Sequence, residues 1–289
     1  MLRDKNAMKK GLVLEGGGMR ALFTAGVMDE MMENGIEFDG AVGVSAGASF
    51  GCNYKSKQIG RALRYNIDFK DEPRYMGIRS LLKTGDWVGA EFSYHIMPVD
   101  LDPVDFDTYE NNPMEFHVVC TDVDTGKAIY HKLPKIDHEA LDWVRASASL
   151  PIISRPVCIN GKRLLDGGMA DSIPLEYFQQ QGYGRNVVIL TQPKGFKKKS
   201  PKGMSLFRWL LRETPAIANA LATRHHMYNR ELDYLSEQER LGNTFLIYPE
   251  EELPIGRIEQ NEAKMRNVYQ MGRKAAKEKM EELKKFLEM

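Results

Sequence analysis

Residues 11–26 read GLVLEGGGMRALFTAG, an apolar run that breaks into three consecutive glycines and an arginine before a second apolar run begins. GLVLE at 11–15 has the length and continuous apolarity of a short buried strand. In MRALFTAGVMDEMMENG at 19–35, Leu22, Ala25, Val27, Met28, Met31 and Met32 recur at near-helical spacing until Asn34-Gly35 stops the run. Strand, glycine loop and helix in that order open an α/β sheet. Bare backbone at such a junction serves either of two chemistries: it cradles a phosphate, or it aims N–H groups at a developing oxyanion. As Gly16-x-Gly18-x-x-Ala21, with Glu37 or Asp39 about 20 residues on, the loop also fits a dinucleotide fingerprint. Taken alone, it satisfies both readings equally.

The next unit separates them. FDGAVGVS at 38–45 is a second buried strand that runs straight into AGASFGCNYKS, a helix-compatible stretch of small residues. Their junction is Gly43-Val44-Ser45-Ala46-Gly47, a G-x-S-x-G. A sharp turn there lifts the serine hydroxyl to the top of the sheet, and Gly43 and Gly47 remove Cβ atoms that would clash with the turn and the approaching helix. The competing reading is a helix N-cap serine. A dinucleotide fold has no use for this turn. Further strands are expected at 115–122, 126–132, 163–168 and 185–192, and a helix over 138–150 stopped by Pro151. Residues 57–114 read as surface helices and loops. Asp166-Gly167-Gly168 ends the strand RLLDGG; such a sequence is by itself a plain turn. In a parallel α/β sheet, however, the carboxyl ends of the strands collect on one edge, so Gly16 to Gly18, Ser45 and Asp166 can converge.

Composition limits the partners. Forty Lys and Arg balance forty Asp and Glu, which gives no reason to expect nucleic acid. The opening MLRDKNAMKK has no apolar core and does not read as a secretory signal, and GAVGVSAGASFGC at 40–52 is too short and polar for a bilayer span. A cytoplasmic protein is expected, with peripheral contact at the inner membrane face left open. Cys52, Cys120 and Cys158 are widely spaced without a C-x-x-C, so they suggest neither a disulfide framework nor zinc and read as small buried hydrophobes. After residue 194 the chain changes character. KGFKKKSPKG is basic and turn-rich, and long amphipathic helices are expected at 215–242 and 258–289, with strand-like TFLIYP between them. The implied division is an α/β domain over 1–195 and a mainly helical region over 196–289. Lys197, Lys198, Lys199 and Lys202 beside Phe196, Phe207 and Trp209 suit an anionic lipid surface. They suit a solvated linker followed by a core helix better.

The ordered set GGGxR (Gly16 to Arg20), G-x-S-x-G, Ala146-Ser147-Ala148-Ser149-Leu150-Pro151 and Asp166-Gly167-Gly168 resembles the patatin-like phospholipase family, particularly its bacterial members, over roughly residues 10–195. Ala21 stands where many relatives carry another glycine, at a helix start where alanine is favourable. The resemblance implies a three-layer α/β fold with a mostly parallel central sheet and helices on both faces, plus a mainly helical C-terminal extension. It implies a Ser-Asp dyad, with Ser45 as nucleophile and Asp166 as the base that takes its proton and later helps deliver water to the acyl-enzyme. Gly16, Gly17 and Gly18 would form the oxyanion hole. Arg20 would receive a substrate phosphate or carboxylate, or bond a neighbouring carbonyl or acid at its helix start. The implied substrate is a lipid acyl ester, with no metal and no cofactor. An acyltransferase using the same acyl-enzyme and a nucleotide-binding oxidoreductase are the alternatives. His225 and His226 could complete a Ser-Asp-His triad, but the charged stretch HHMYNRELD reads as an exposed helix face. Ser147 and Ser149 read as capping or packing residues. Nothing in the sequence specifies an oligomeric state.

Overall fold

The computed structural model describes residues 8–288; residues 1–7, within the segment read for a signal, and residue 289 lie outside the described residues. β1 (Lys10–Leu14) leads through the glycine loop and a 3-10 turn, Gly18–Ala21, into α1 (Leu22–Glu33), then β2 (Gly40–Val44) and α2 (Ala46–Lys55). The expected 19–35 helix therefore has a tighter first turn. α3 (Arg61–Asp68), α4 (Ile78–Thr84), a π-helix at Phe92–Leu101 containing Pro98, and α5 (Phe106–Asn111) fill the next stretch. β3 (Glu115–Asp122), β4 (Ala128–Lys132), α6 (His138–Ser147), β5 (Val157–Ile159), β6 (Lys162–Asp166), α7 (Leu175–Gln180) and β7 (Arg185–Ile189) follow. The last elements are α8 (Met204–Leu210), α9 (Pro215–Arg240), β8 (Thr244–Ile247) and α10 (Glu262–Glu288).

One sheet collects all these strands in the order β5-β6-β3-β2-β1-β7-β8, with β4 also on β3. Strands β3, β2, β1, β7 and β8 are parallel neighbours, whereas β4, β5 and β6 attach antiparallel. The central strands are apolar on both faces because both faces are covered. Leu12 and Leu14 pack in the core shared with α1, α2, α6 and α10, while Val13, Val42 and Val44 pack in a second core with α7 and α9. α1 and α10 cross with almost no space between them: a Cβ on Gly26 would lie 2.1 Å from the Tyr269 carbonyl oxygen, and one on Gly272 2.0 Å from that of Phe23. Residues 57–114 do more than cover the surface, since Tyr65, Tyr75, Phe92 and Met97 are buried. Two expectations need correction. Cys158 is exposed, because β5 alternates and buries Val157 and Ile159 instead. α8 is no core helix: it buries none of its residues.

Strand register places the chemistry. Thr121 of β3 pairs with Ala128 of β4 and with Leu165 of β6, so those strands occupy opposite edges of β3. Val118 pairs with His131 of β4 and Gly43 of β2, so β2 shares its edge with β6. β2 uses that edge up to Val119, opposite Val44; β6 arrives from the other direction and ends at Cys120, opposite Asp166. Two strand ends therefore point at each other. Ser45 follows one, and Asp166 closes the other.

Ser45 has φ 56° and ψ −126°, a left-handed-side conformation that strains a residue with a Cβ. Its neighbours tolerate the turn only because they are bare: a Cβ on Gly43 would sit 2.6 Å from the Gly47 carbonyl oxygen, and one on Gly47 2.5 Å from that of Leu14. The end of α6 and the residues just after it hold both strand ends. The Ser147 hydroxyl accepts the Ser45 N–H at 2.9 Å and donates to the Val119 carbonyl at 2.7 Å, and the Ser149 carbonyl accepts the Asp166 N–H at 2.8 Å. Ser147→Ala leaves a buried donor and acceptor unmatched and is expected to cost about 1–3 kcal/mol in chemical denaturation. Gly272→Ala, whose new methyl meets backbone rather than a movable side chain, is expected to cost a similar ~1–3 kcal/mol in the same measurement.

Candidate active site

Asp166 is buried to 2% exposure at the head-on junction of β6 and β2. Its Oδ1 accepts the Gly168 N–H at 2.8 Å, while its buried Oδ2 has no aligned donor. The Ser45 hydroxyl is near enough to act on this carboxyl. Burial raises the Asp166 pKa above the ordinary carboxylate value, and the Ser45 hydroxyl, Arg224, the Gly168 N–H and Arg257 oppose that rise in part. Gly167 cannot carry a side chain, because a Cβ would lie 2.1 Å from the Val119 carbonyl oxygen.

The glycine loop faces the same junction. A Cβ on Gly16 would be 2.8 Å from that of Ser45, and one on Gly17 2.8 Å from the Thr191 hydroxyl. Gly18 has φ 58° and abuts the Arg257 carbonyl, which accepts the Met19 N–H at 3.0 Å. Among the described residues, the N–H groups of Gly16, Gly17 and Gly18 have no acceptor. The dinucleotide reading does not fit this geometry. Asp39 precedes β2, at the opposite end of the sheet from the loop, and accepts the Lys10 N–H at 2.8 Å; Glu37 pairs on the surface with Lys57 at 3.1 Å.

One pocket contains the glycine loop, Ser45, Asp166 and Arg20. Its apolar lining includes Phe50, Tyr65, Tyr75, Trp87, Met97 and Ile153, largely from the segment between α2 and α5. Its basic lining adds Lys198, which the sequence reading placed in a lipid-facing or solvated stretch, and Arg224 and Arg257, which it assigned no role. Glu15, also unassigned, is buried below the glycine loop: Oε2 accepts the Thr191 N–H at 2.6 Å and its hydroxyl at 3.0 Å, and Oε1 accepts the Tyr228 hydroxyl at 2.6 Å. α9 thus presents one face to the site. Arg224 donates to the Gly168 carbonyl and, at 3.3 Å, to the Ser172 hydroxyl; Tyr228 reaches Glu15; Glu231 accepts the Ser172 N–H at 3.1 Å. Their spacing of four and three residues is the sequence signal that identifies this face.

Lys198 is not free in a linker. Asn229 brackets its backbone with bonds of 2.8 and 3.0 Å, and its ammonium lies 4.0 Å from the centre of the Tyr228 ring. Burial, then repulsion from Arg224 and Arg257, pushes its pKa down to about 7. The His225 and His226 rings lie against each other at a tilt of 39° and do not line the pocket; His226 is exposed, whereas His225 is half-buried. Ser149 caps α6 by donating to the Arg145 carbonyl at 2.8 Å. Away from the pocket lining, His95, His138 and Asp142 bring three potential ligand atoms within 4.8 Å of one another. Arg145 lies 3.7 Å from the Asp142 carboxylate, so the group reads as an ion-pair cluster. Among the described residues, no helix is long and apolar enough to cross a membrane.

Comparison with known proteins agrees with the ordered motifs. A family model described as patatin-like phospholipase matches residues 12–178, and a domain of unknown function, DUF6363, matches residues 214–288. The uncharacterized protein YjjU of Escherichia coli K12 is 29% identical over 281 residues, covering 94% of this chain and 77% of that protein. Lysophospholipase nte1 of Aspergillus oryzae is 28% identical over 200 residues, covering 67% of this chain; the alignment spans 12% of that longer protein. Among solved structures, VipD from Legionella pneumophila aligns with a TM-score of 0.47 at 12% identity, over 94% of this chain and 66% of that chain. With more than half of its length matched by the family model, the chain belongs to the patatin-like phospholipase family.

Proposed function

We propose that this protein hydrolyses lipid acyl esters through an acyl-enzyme on Ser45, with Asp166 as its base and the glycine loop as its oxyanion hole. The observation that carries the reading is the strained Ser45 turn meeting buried Asp166 in a pocket that also holds three glycine N–H groups without acceptors. Ser45 Oγ attacks the ester carbonyl carbon while its proton passes to Asp166 Oδ2. The carbonyl oxygen takes the developing negative charge and accepts N–H bonds from Gly17 and Gly18, with Gly16 beside them. Collapse breaks the bond to the alcohol oxygen, which leaves with the proton from Asp166. Water then repeats the sequence at the acyl carbonyl, giving its proton to Asp166, which passes it to Ser45 Oγ as the acyl bond breaks and the fatty acid and free Ser45 are released. A free carboxylate is a weak base; burial strengthens Asp166 for this task.

The apolar lining suits an acyl chain, and a lysophospholipase among the relatives supports a glycerophospholipid ester. The catalytic groups fall within residues 1–195, and the remaining, mainly helical region supplies Lys198, Arg224 and Arg257 around them. Contact with an anionic membrane is supported by α8, where Leu206, Trp209 and Leu210 are exposed near Lys199, Lys202 and Arg208 in sequence. Replacing Leu206 and Trp209 together by serine is expected to weaken cosedimentation with phosphatidylglycerol vesicles while leaving hydrolysis of a monomeric ester intact; unchanged sedimentation removes this contact.

Ser45→Ala and Asp166→Asn are each expected to lower turnover of p-nitrophenyl esters by at least about 10³-fold, with chelator present throughout and thermal unfolding checking that both variants fold. The base must be ionised, so activity is lost as pH falls through its pKa. Since burial raises that pKa, the acid limb of kcat is expected above the ordinary carboxylate value of 3.8. Full activity in either variant overturns the dyad.

A further inference from the structure

Four cations share the pocket with only two carboxylates. Arg20, Lys198, Arg224 and Arg257 line it with Glu15 and Asp166, and among the described residues none of the four makes an ion pair. Glu15 is already bonded to Thr191 and Tyr228. The Arg20 Nε is buried with no partner, although an unmatched buried donor is costly. Lys198, Arg224 and Arg257 repel one another closely enough to disturb the Lys198 charge, and Arg224 and Arg257 also act on Asp166. An anion entering the cluster would offset this repulsion. With Lys198 protonated and both carboxylates ionised the excess is two positive charges, which matches the charge of one phosphate monoester, about −1.5 to −2 at neutral pH.

We propose that Arg20, Lys198, Arg224 and Arg257 form a recess for the terminal phosphate monoester of an acylglycerol phosphate, which orients its ester toward Ser45. The proposal rests on the hydrolase reading above and names its substrate class. Arg20 offers its unpartnered Nε–H, and Lys198, anchored by Asn229, offers a point charge beside the Tyr228 face. Arg224 lends its charge while already bonded to the DGG loop. A zwitterionic phosphodiester satisfies the recess less well: it brings one negative charge instead of two, and its ammonium group would face like charges. Three of the four cations come from residues beyond the span of the patatin-like family model, so this selectivity belongs to the C-terminal part of the chain.

Binding is measured by calorimetry on the Ser45→Ala protein, which separates recognition from turnover. The probes are dihexanoyl phosphatidic acid, dihexanoyl phosphatidylcholine, dihexanoylglycerol and inorganic phosphate. The phosphate monoester is expected to bind at least about tenfold more tightly than the diester or the neutral lipid, with inorganic phosphate a weak competitor for the same site. Lys198→Met and Arg257→Met, each introduced into the Ser45→Ala protein, are expected to abolish most of that preference; among the described residues neither side chain makes a hydrogen bond or ion pair, Lys198 giving up its place over the Tyr228 ring, and thermal unfolding verifies the fold. Equal binding of the three lipids, or a preference that survives both substitutions, overturns the recess. Inorganic phosphate binding as tightly as phosphatidic acid overturns the lipid assignment. Tight phosphatidic acid binding by Ser45→Ala, coupled with no release of hexanoate by the unsubstituted protein, leaves the recess standing and overturns the hydrolase reading instead.

Discussion

The meeting of β2 and β6 along one edge of β3 is the constraint on which the site depends. Neither strand is long enough to fill that edge, and each stops against the end of the other. A parallel strand and an antiparallel strand can meet carboxyl end to carboxyl end only in this arrangement. Ser45 and Asp166, 121 positions apart in sequence, become neighbours through backbone pairing before any side-chain interaction is considered. A slip of one residue in either register would turn the terminal side chain to the other face of the sheet. Ser147 and Ser149, in turn, tie the junction to the end of α6.

Much of this was legible because the constraints act on backbone. Gly16, Gly43, Gly47 and Gly167 leave marks in the sequence since a single methyl group at any of them would collide with a neighbouring atom, mostly main-chain. Ordered glycine motifs consequently read as a site even without coordinates. The ASASLP segment shows where such reading stops: Ser147 and Ser149 pack and cap as expected, but nothing local reveals that they hold the two strand ends.

The basic lining of the pocket was much less legible. Lys198 sits in a lysine-rich stretch whose composition describes a solvated linker, and only Asn229, on another element, turns it inward. Arg224, Tyr228 and Glu231 have helical spacing, but many surface helices carry a polar row of that kind; the partners Gly168, Glu15 and Ser172 distinguish this one. Glu15 looked like the end of a strand, and its role depends on Thr191, brought beside it by the β1–β7 pairing. α8 shows the reverse problem: its apolar composition suggests a core, whereas none of its residues is buried.

Gly18 and Met19 rest against the carbonyl of Arg257, so the nascent loop waits for a partner made 238 residues after Met19. During synthesis the glycine motif, Ser45 and Asp166 all emerge before that partner, and long-range closure comes late. The order of translation thus places completion of the glycine loop behind the C-terminal segment, giving the growing polypeptide a built-in delay before its pocket is fully formed.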